Sequence, residues 1–290
     1  MPRIPPPRQL DMNITETSDA RPVAMRHYPV APQHMPELER QVKALLDAGI
    51  IRESVSLCAS SVLFAPKKVD KLLFCVDYRR LNRQTLRDCY PTPVASDLIS
   101  QTRGSRMFSK LHLQSGFHQL RIREGEQLKT AFTTPGEQYE WVTCPFGLTN
   151  TPSCFQRLMN CVLRDHIAGH YCVVYCDDVL IFTNSDDPVE HLHKLNAVLE
   201  TLRAHELLIK GLKTELFRSE VEFLGFLLSK DGWAPTESKV AGIVQWPAPE
   251  TVEHLRSFLG IKLKGAQYRY DARNVEALAA QVALQTWRTL

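Results

Sequence analysis

The stretch Tyr171-Cys-Val-Val-Tyr-Cys-Asp-Asp-Val-Leu-Ile-Phe182 sets the strongest constraint on the fold. Two adjacent acids stand between two runs of apolar and β-branched residues, each long enough for a buried strand. The geometry that buries both runs and keeps the carboxylates in water is a β-hairpin with Asp177 and Asp178 at its tip. A plain Asp-Asp turn needs nothing more. Carboxylates fixed on rigid neighbouring strands, however, repel each other unless a cation neutralises them, and hard oxygen ligands suit Mg²⁺. Two-metal phosphoryl transfer uses such a pair with a further acid from another strand.

Other segments place elements around this hairpin. Pro36 suits a first helical position, and Leu38, Val42, Leu45 and Leu46 form an apolar stripe that Gly49 ends. Ser61-Val-Leu-Phe-Ala65 and Leu72-Leu-Phe-Cys-Val76 predict a buried β pair around the tip Lys67-Lys-Val-Asp-Lys71. Strands are also predicted over 106–113, 118–123, 128–133 and 138–143. Thr151-Pro152 opens a helix with Phe155, Leu158, Met159, Val162 and Leu163 inward, and Asp187-Pro188 opens another with Leu192, Leu195, Val198, Leu199 and Leu202 inward. Strands and helices mix without a regular βαβ repeat, which predicts an α+β fold. Residues 1–34, rich in proline and poor in apolar periodicity, predict a disordered or extended lead-in.

Composition narrows the function classes. With 44% hydrophobic and 23% charged residues the chain can bury a sizeable core. It has no apolar run of about 18 residues, and its start lacks the apolar region of a signal peptide, so no membrane span and an intracellular (cytoplasmic or nuclear) protein are expected. Eight cysteines without a CxxC pair predict reduced thiols, and the spacing of Cys161, His166, His170 and Cys172 fits no zinc finger. The net charge of +3 is mild, but between Lys67 and Asp88 seven Lys/Arg face three Asp. That is either a solvated surface or a face for a polyanion.

Seven motifs then occur in order: Val76-Asp-Tyr-Arg-Arg-Leu-Asn82, Phe108-Ser-Lys-Leu-His-Leu-Gln-Ser-Gly-Phe-His-Gln119, Lys129-Thr-Ala-Phe132, Pro145-Phe-Gly-Leu-Thr-Asn150, Phe155-Gln-Arg-Leu-Met159, Tyr175-Cys-Asp-Asp178 and Val221-Glu-Phe-Leu-Gly225. Over roughly residues 20–260 the chain resembles the reverse transcriptase of a gypsy-type LTR retrotransposon polyprotein. The resemblance implies a right-hand polymerase with fingers at 35–105 and parts of 119–150, a palm at 106–232 and the start of a thumb at 233–262. Its reaction is addition of dNTPs to a primer on an RNA or DNA template with two Mg²⁺. Asp177 and Asp178 match the metal-binding acids, and Phe117 matches the aromatic gate against a 2′-hydroxyl. Lys67 matches the fingertip lysine at the nucleotide phosphates, Lys213 the lysine that protonates pyrophosphate, and Phe223, Leu224 and Gly225 the primer grip. Singly, each would read as a surface lysine or core phenylalanine; their order in the chain carries the match.

Three departures stand out. His112 occupies the place of the third metal-binding aspartate, and imidazole is a softer ligand that Mg²⁺ takes reluctantly. It either binds Mn²⁺ or pairs with Asp177 as a structural contact. Leu73 stands where the resemblance places an arginine for the triphosphate, removing a bidentate donor. Residues 263–290 resemble a helix of an RNase H domain with Glu276 at its acidic position, or form an ordinary amphipathic helix. The expectation is a degenerate polymerase domain with activity lost or impaired; the alternative is a non-catalytic nucleic-acid-binding protein or an inert remnant.

Overall fold

The computed structural model describes residues 4–26, 28–67, 71–237, 240–241 and 254. Three antiparallel-dominated sheets organise them. The first combines β1 (Ile51–Glu53), β2 (Ser60–Lys67), β3 (Lys71–Val76), β5 (Phe132–Thr133) and β6 (Gln138–Trp141) in the order β1-β6-β5-β2-β3. As predicted, β2 and β3 pair antiparallel, with Val62 opposite Val76 and Lys67 opposite Lys71. Helix α1 (Met35–Asp47) has proline in its first turn and buries Leu38 and Val42. The chain leaves it through Gly49 at φ +67°, a left-handed turn that glycine takes without strain.

The second sheet carries the acids. It runs β7-β8-β4-β9, from β7 (Cys172–Tyr175), β8 (Asp178–Thr183), β4 (Met107–His112) and β9 (Glu215–Arg218). Both faces of β8 are covered, which is why the run Val179-Leu-Ile-Phe182 is continuously apolar rather than alternating. Val179 and Ile181 join the core beneath α4 (Thr151–Val162) and α6 (Pro188–Ala204), with Phe155, Leu158, Leu195 and Val198. Leu180 and Phe182 point the other way, into a cluster with Leu98 and Ile99 of α3 (Ala95–Gln101) and with Val221, Phe223 and Leu228. The last three lie in the third sheet, β10 (Glu220–Phe223), β11 (Phe226–Ser229) and β12 (Gly232–Pro235). Helix α6 starts where Asp187-Pro188 predicts, the Asp187 carboxylate accepting from the Val189 N–H, a cap worth about 1 kcal/mol. The short helices α2 (Arg79–Gln84) and α5 (Arg164–Ala168) complete the α+β architecture.

Some segments differ from expectation. The lead-in is extended but docked: Met12 forms a bridge with Ile122, Glu16 with Thr85 and Ala24 with Ala59, and Met12 and Ile14 are buried. Met12 and Ile14 find partners more than a hundred residues away, at Ile122 and Glu126, which periodicity within the segment does not reveal. Residues 118–123 form no strand. Ser115 turns left-handed at φ 51° into the 3₁₀ turn Gly116–Gln119, and only single bridges follow. Over 128–133, a 3₁₀ turn Gln127–Thr130 precedes the two-residue β5. None of the eight cysteines is in a disulfide, and no helix among the described residues is long and apolar enough to cross a membrane. Residues 242–253 and 255–290, with Glu276 and most of the expected thumb, lie outside the described residues.

Candidate active site

Tyr175 of β7 pairs with Asp178 of β8, so Cys176 and Asp177 are the two turn residues and the acids stand at the tip, as predicted. Cys176 is left-handed at φ 50°, an uncommon conformation for a residue with a side chain. Gln156 of α4 holds it: its Oε1 accepts the Cys176 N–H at 2.7 Å and its Nε2 donates to the Val174 carbonyl at 3.1 Å. From the other side the Leu113 N–H donates to the Asp177 carbonyl at 2.8 Å. Gly116 lets the loop after β4 approach, since a Cβ there would lie 2.8 Å from the Cβ of Asp177.

The antiparallel register of β4 and β8 sets His112 directly opposite Asp178. Its Nδ1–H donates to Asp178 Oδ1 at 2.8 Å, and its Nε2 lies 3.5 Å from Asp177 Oδ2, too long for a good hydrogen bond. The contact expected with Asp177 is therefore shared, and the shorter arm goes to Asp178 because strand pairing places it there. Lys213, ending the 3₁₀ turn Gly211–Lys213, brings its Nζ to 3.3 Å from His112 Nε2. That turn is anchored to the same strand end, the Lys210 N–H donating to the His112 carbonyl at 2.8 Å. Burial pushes the Asp177 carboxyl above the usual carboxylate range, the Asp178 charge adds to the rise, and His112 and Lys213 oppose it.

The donor atoms of His112, Asp177 and Asp178 lie within 4.8 Å of one another. Their chemistry does not fit the Mg²⁺ pair that the resemblance implies. Mg²⁺ prefers an octahedron of oxygens. Here one donor of three is an imidazole whose nitrogens already face Asp178, Asp177 and Lys213, and Lys213 adds a fixed positive charge at the ring's edge. Mn²⁺ tolerates imidazole better, without removing these competing contacts.

The acids line a cleft of about 350 Å³ with Phe117, Phe223, Leu224 and Gly225, so the structure gathers most of the predicted site residues. Phe117 is braced by Phe146 and Phe155, with ring centroids 5.1 and 5.7 Å away. Leu224 and Gly225 form the β10–β11 turn, both with positive φ. Lys67 and Leu73 lie in the backbone of β2 and β3, on a different sheet, and their side chains are outside the described residues. Lys110 and Gln156 are the site residues that sequence reasoning missed. Lys110 reaches the cleft because it stands two residues before His112 on one strand, hence on the same face; it pairs with Glu215 and donates to the Glu222 carbonyl. Period-two spacing was a usable signal for it. Gln156 stands inside the motif Phe155-Gln-Arg-Leu-Met159, which marked its position but not its role, since that depends on a turn formed twenty residues later.

Comparison with known proteins gives a consistent set of similarities. The family "Reverse transcriptase (RNA-dependent DNA polymerase)" matches residues 66–228. The Transposon Tf2-3 polyprotein of Schizosaccharomyces pombe is 34% identical over 259 residues, covering 89% of this chain and 19% of its own length. The Retrovirus-related Pol polyprotein from transposon 297 of Drosophila melanogaster is 37% identical over 254 residues, covering 86% and 24%. The chain thus spans about a fifth to a quarter of these relatives. Among solved structures, the foamy viral protease-reverse transcriptase in complex with dsDNA superposes with a TM-score of 0.76 at 26% identity, over 90% of this chain and 52% of that one. The same enzyme in complex with an RNA/DNA hybrid gives 0.73 at 26%, over 90% and 33%. These neighbours have the right-hand polymerase fold, as does this chain.

Proposed function

The chain belongs to the reverse transcriptase (RNA-dependent DNA polymerase) family, and on that premise we propose that it is a retrotransposon reverse transcriptase domain that holds an RNA or DNA template-primer while its nucleotidyl transfer is disabled. In this reading the β1-β6-β5-β2-β3 sheet with α1 is the fingers, the four-stranded sheet with its helices is the palm, and the β10–β11 turn grips the primer. The relatives named as transposon polyproteins and the neighbours solved with nucleic acid support it. One observation carries the inactivity: the imidazole of His112 stands between the two acids, bonded to Asp178 at 2.8 Å. A lost metal ligand worth about 4 kcal/mol of transition-state stabilisation corresponds to about three orders of magnitude in rate.

Primer extension on an RNA template, with dNTPs and either Mg²⁺ or Mn²⁺, tests this. The unaltered protein should extend about 10³-fold more slowly than His112→Asp, with Leu73→Arg adding to the gain. Robust extension by the unaltered protein overturns the proposed inactivity. An unimproved His112→Asp variant that keeps its fold overturns the assigned cause. Binding without extension separates a nucleic-acid-holding protein from an inert remnant, which would bind nothing.

A further inference from the structure

The sheet that carries the β10–β11 turn is not a continuation of the sheet that carries the acids. Leu224 and Gly225 are the two turn residues, so Phe223 and Phe226 close the hairpin as its hydrogen-bonded pair, and Glu222, opposite Leu227, turns its carbonyl to the open edge. No strand lies on that edge of β10 among the described residues. The carbonyl is met instead by one side chain. The Lys110 ammonium, from the face of β4 that also presents His112, donates to it at 2.9 Å.

Lys110 is itself held from a second direction. It stands opposite Glu215 in the β4–β9 register and its ammonium is paired with the Glu215 carboxylate, only 17% of the lysine side chain being exposed. β9 follows directly on the turn Gly211–Lys213 that brings Lys213 to His112. β4 also fixes β9 from its other face, where Ser109 Oγ accepts the Phe217 N–H at 3.1 Å and bonds the buried His191 at 2.8 Å. One ammonium thus ties the approach of Lys213, the β10–β11 turn and the strand of His112 into a single frame. Apolar packing of Val221 and Phe223 against Phe108 and Leu180 holds the two sheets together, but it is non-directional and does not fix where the turn stops. A charge-assisted bond to a main-chain carbonyl sets both distance and angle. Among the described residues that line the cleft Lys110 is the one cation, and its ammonium is spent on Glu215 and the Glu222 carbonyl, which suits it to positioning rather than to holding a phosphate.

We propose that Lys110 is a positioning residue that seats the β10–β11 turn over the acid pair and so sets where the terminal nucleotide of a bound primer lies relative to Asp177 and Asp178. This assignment rests on the reading of that turn as the primer grip. It adds a residue outside the turn, on the strand of His112, without which the turn would be packed but not registered.

The probe is a DNA primer annealed to an RNA template, with the fluorescent base 2-aminopurine at the primer terminus, read in fixed salt and Mg²⁺ with protein in saturating excess so that affinity does not enter. The unaltered protein should change the fluorescence of the terminal base on binding. Lys110→Met, which keeps the stem and removes the donor, should lose about half or more of that change, and Lys110→Arg, which can reach the same carbonyl, should restore most of it. The same base placed well inside the duplex should respond alike in all three proteins. A full terminal change in Lys110→Met overturns the proposal. A loss in Lys110→Arg as large as in Lys110→Met, or an equal loss at the internal base, assigns the effect to general distortion and overturns it too. No binding by the unaltered protein overturns the nucleic-acid reading itself, a result distinct from binding with an unmoved terminal signal. Should Lys110→Met not fold, Lys110→Gln, too short to reach the Glu222 carbonyl, takes its place with the same expectations.

Discussion

Gly116→Ala is the most direct probe of how tightly the site is built. The added Cβ would lie 2.8 Å from the Cβ of Asp177 and 3.4 Å from two carbons of the Phe155 ring. Carbon atoms settle at about 3.5–4.0 Å, so the Asp177 contact must open by at least about 0.7 Å. Asp177 has little freedom to retreat, because its carbonyl is bonded to Leu113 N–H and its neighbour Cys176 to Gln156. Overpacking of this kind costs about 1–3 kcal/mol, and the stiffer unfolded chain of the alanine variant returns about 0.4–1 kcal/mol. The net loss should be about 1–2 kcal/mol. With a urea m-value of about 3 kcal/mol/M the unfolding midpoint should fall by about 0.3–0.7 M. Gly211→Ala is the matched control: nothing lies within 4 Å of its added Cβ, and its midpoint should hold or rise. A Gly116→Ala midpoint equal to or above that of the unaltered protein would refute the reasoning.

Two pH predictions follow from titratable groups whose surroundings shift them. Arg79 holds the Asp77 carboxyl at about 2, with Tyr28 also donating to it. Because the folded value is depressed, its stabilisation is complete above the unfolded value of about 3.9 and is lost as pH falls towards 2. Asp77→Asn should therefore be less stable at neutral pH by about 1 kcal/mol and show a shallower loss across that window, measured by urea midpoints at each pH. Burial lowers His118 to about 4, its ring stacked on Trp141 at 5.4 Å. Protons bind the unfolded chain first, so stability should decline as pH falls from about 6.5 towards 4. His118→Phe keeps the stack and removes the proton site, so it should flatten that interval; an unchanged slope would assign the titration elsewhere.

What could be read in the sequence depended on how local the cause was. The hairpin of β7 and β8 was legible because two apolar runs and an acid pair are enough to specify it, and the starts of α1, α4 and α6 because proline marks each first turn. A turn after β4 was legible, but its extent to residue 119 was not, since Ser115 takes a left-handed φ that favours glycine, and the buried Gln119 is held by the Gln114 and Leu208 carbonyls. The docking of Met12 and Ile14 was hidden for a similar reason, their partners lying in distant loops. Within the site, the replacement at position 112 was visible in the motif, but its partners were not. The choice of Asp178 for the short bond is a matter of register between strands 66 residues apart.

That register also explains why the fold tolerates the replacement. Any residue at position 112 must stand against two neighbouring carboxylates, one of them raised by burial and by its neighbour's charge. An apolar side chain would leave the pair facing each other across a half-buried cleft, and an aspartate would make it three acids that repel one another unless a cation binds or one of them takes up a proton. Histidine donates to Asp178 and accepts from Lys213, so it ties one acid of the pair to the protein's own groups. Stability and catalysis therefore make opposite demands at this residue. Restoring aspartate should raise nucleotide addition and, without metal, lower stability, and the same substitution read by both measurements separates a site adapted to work without ions from one that has merely lost a ligand.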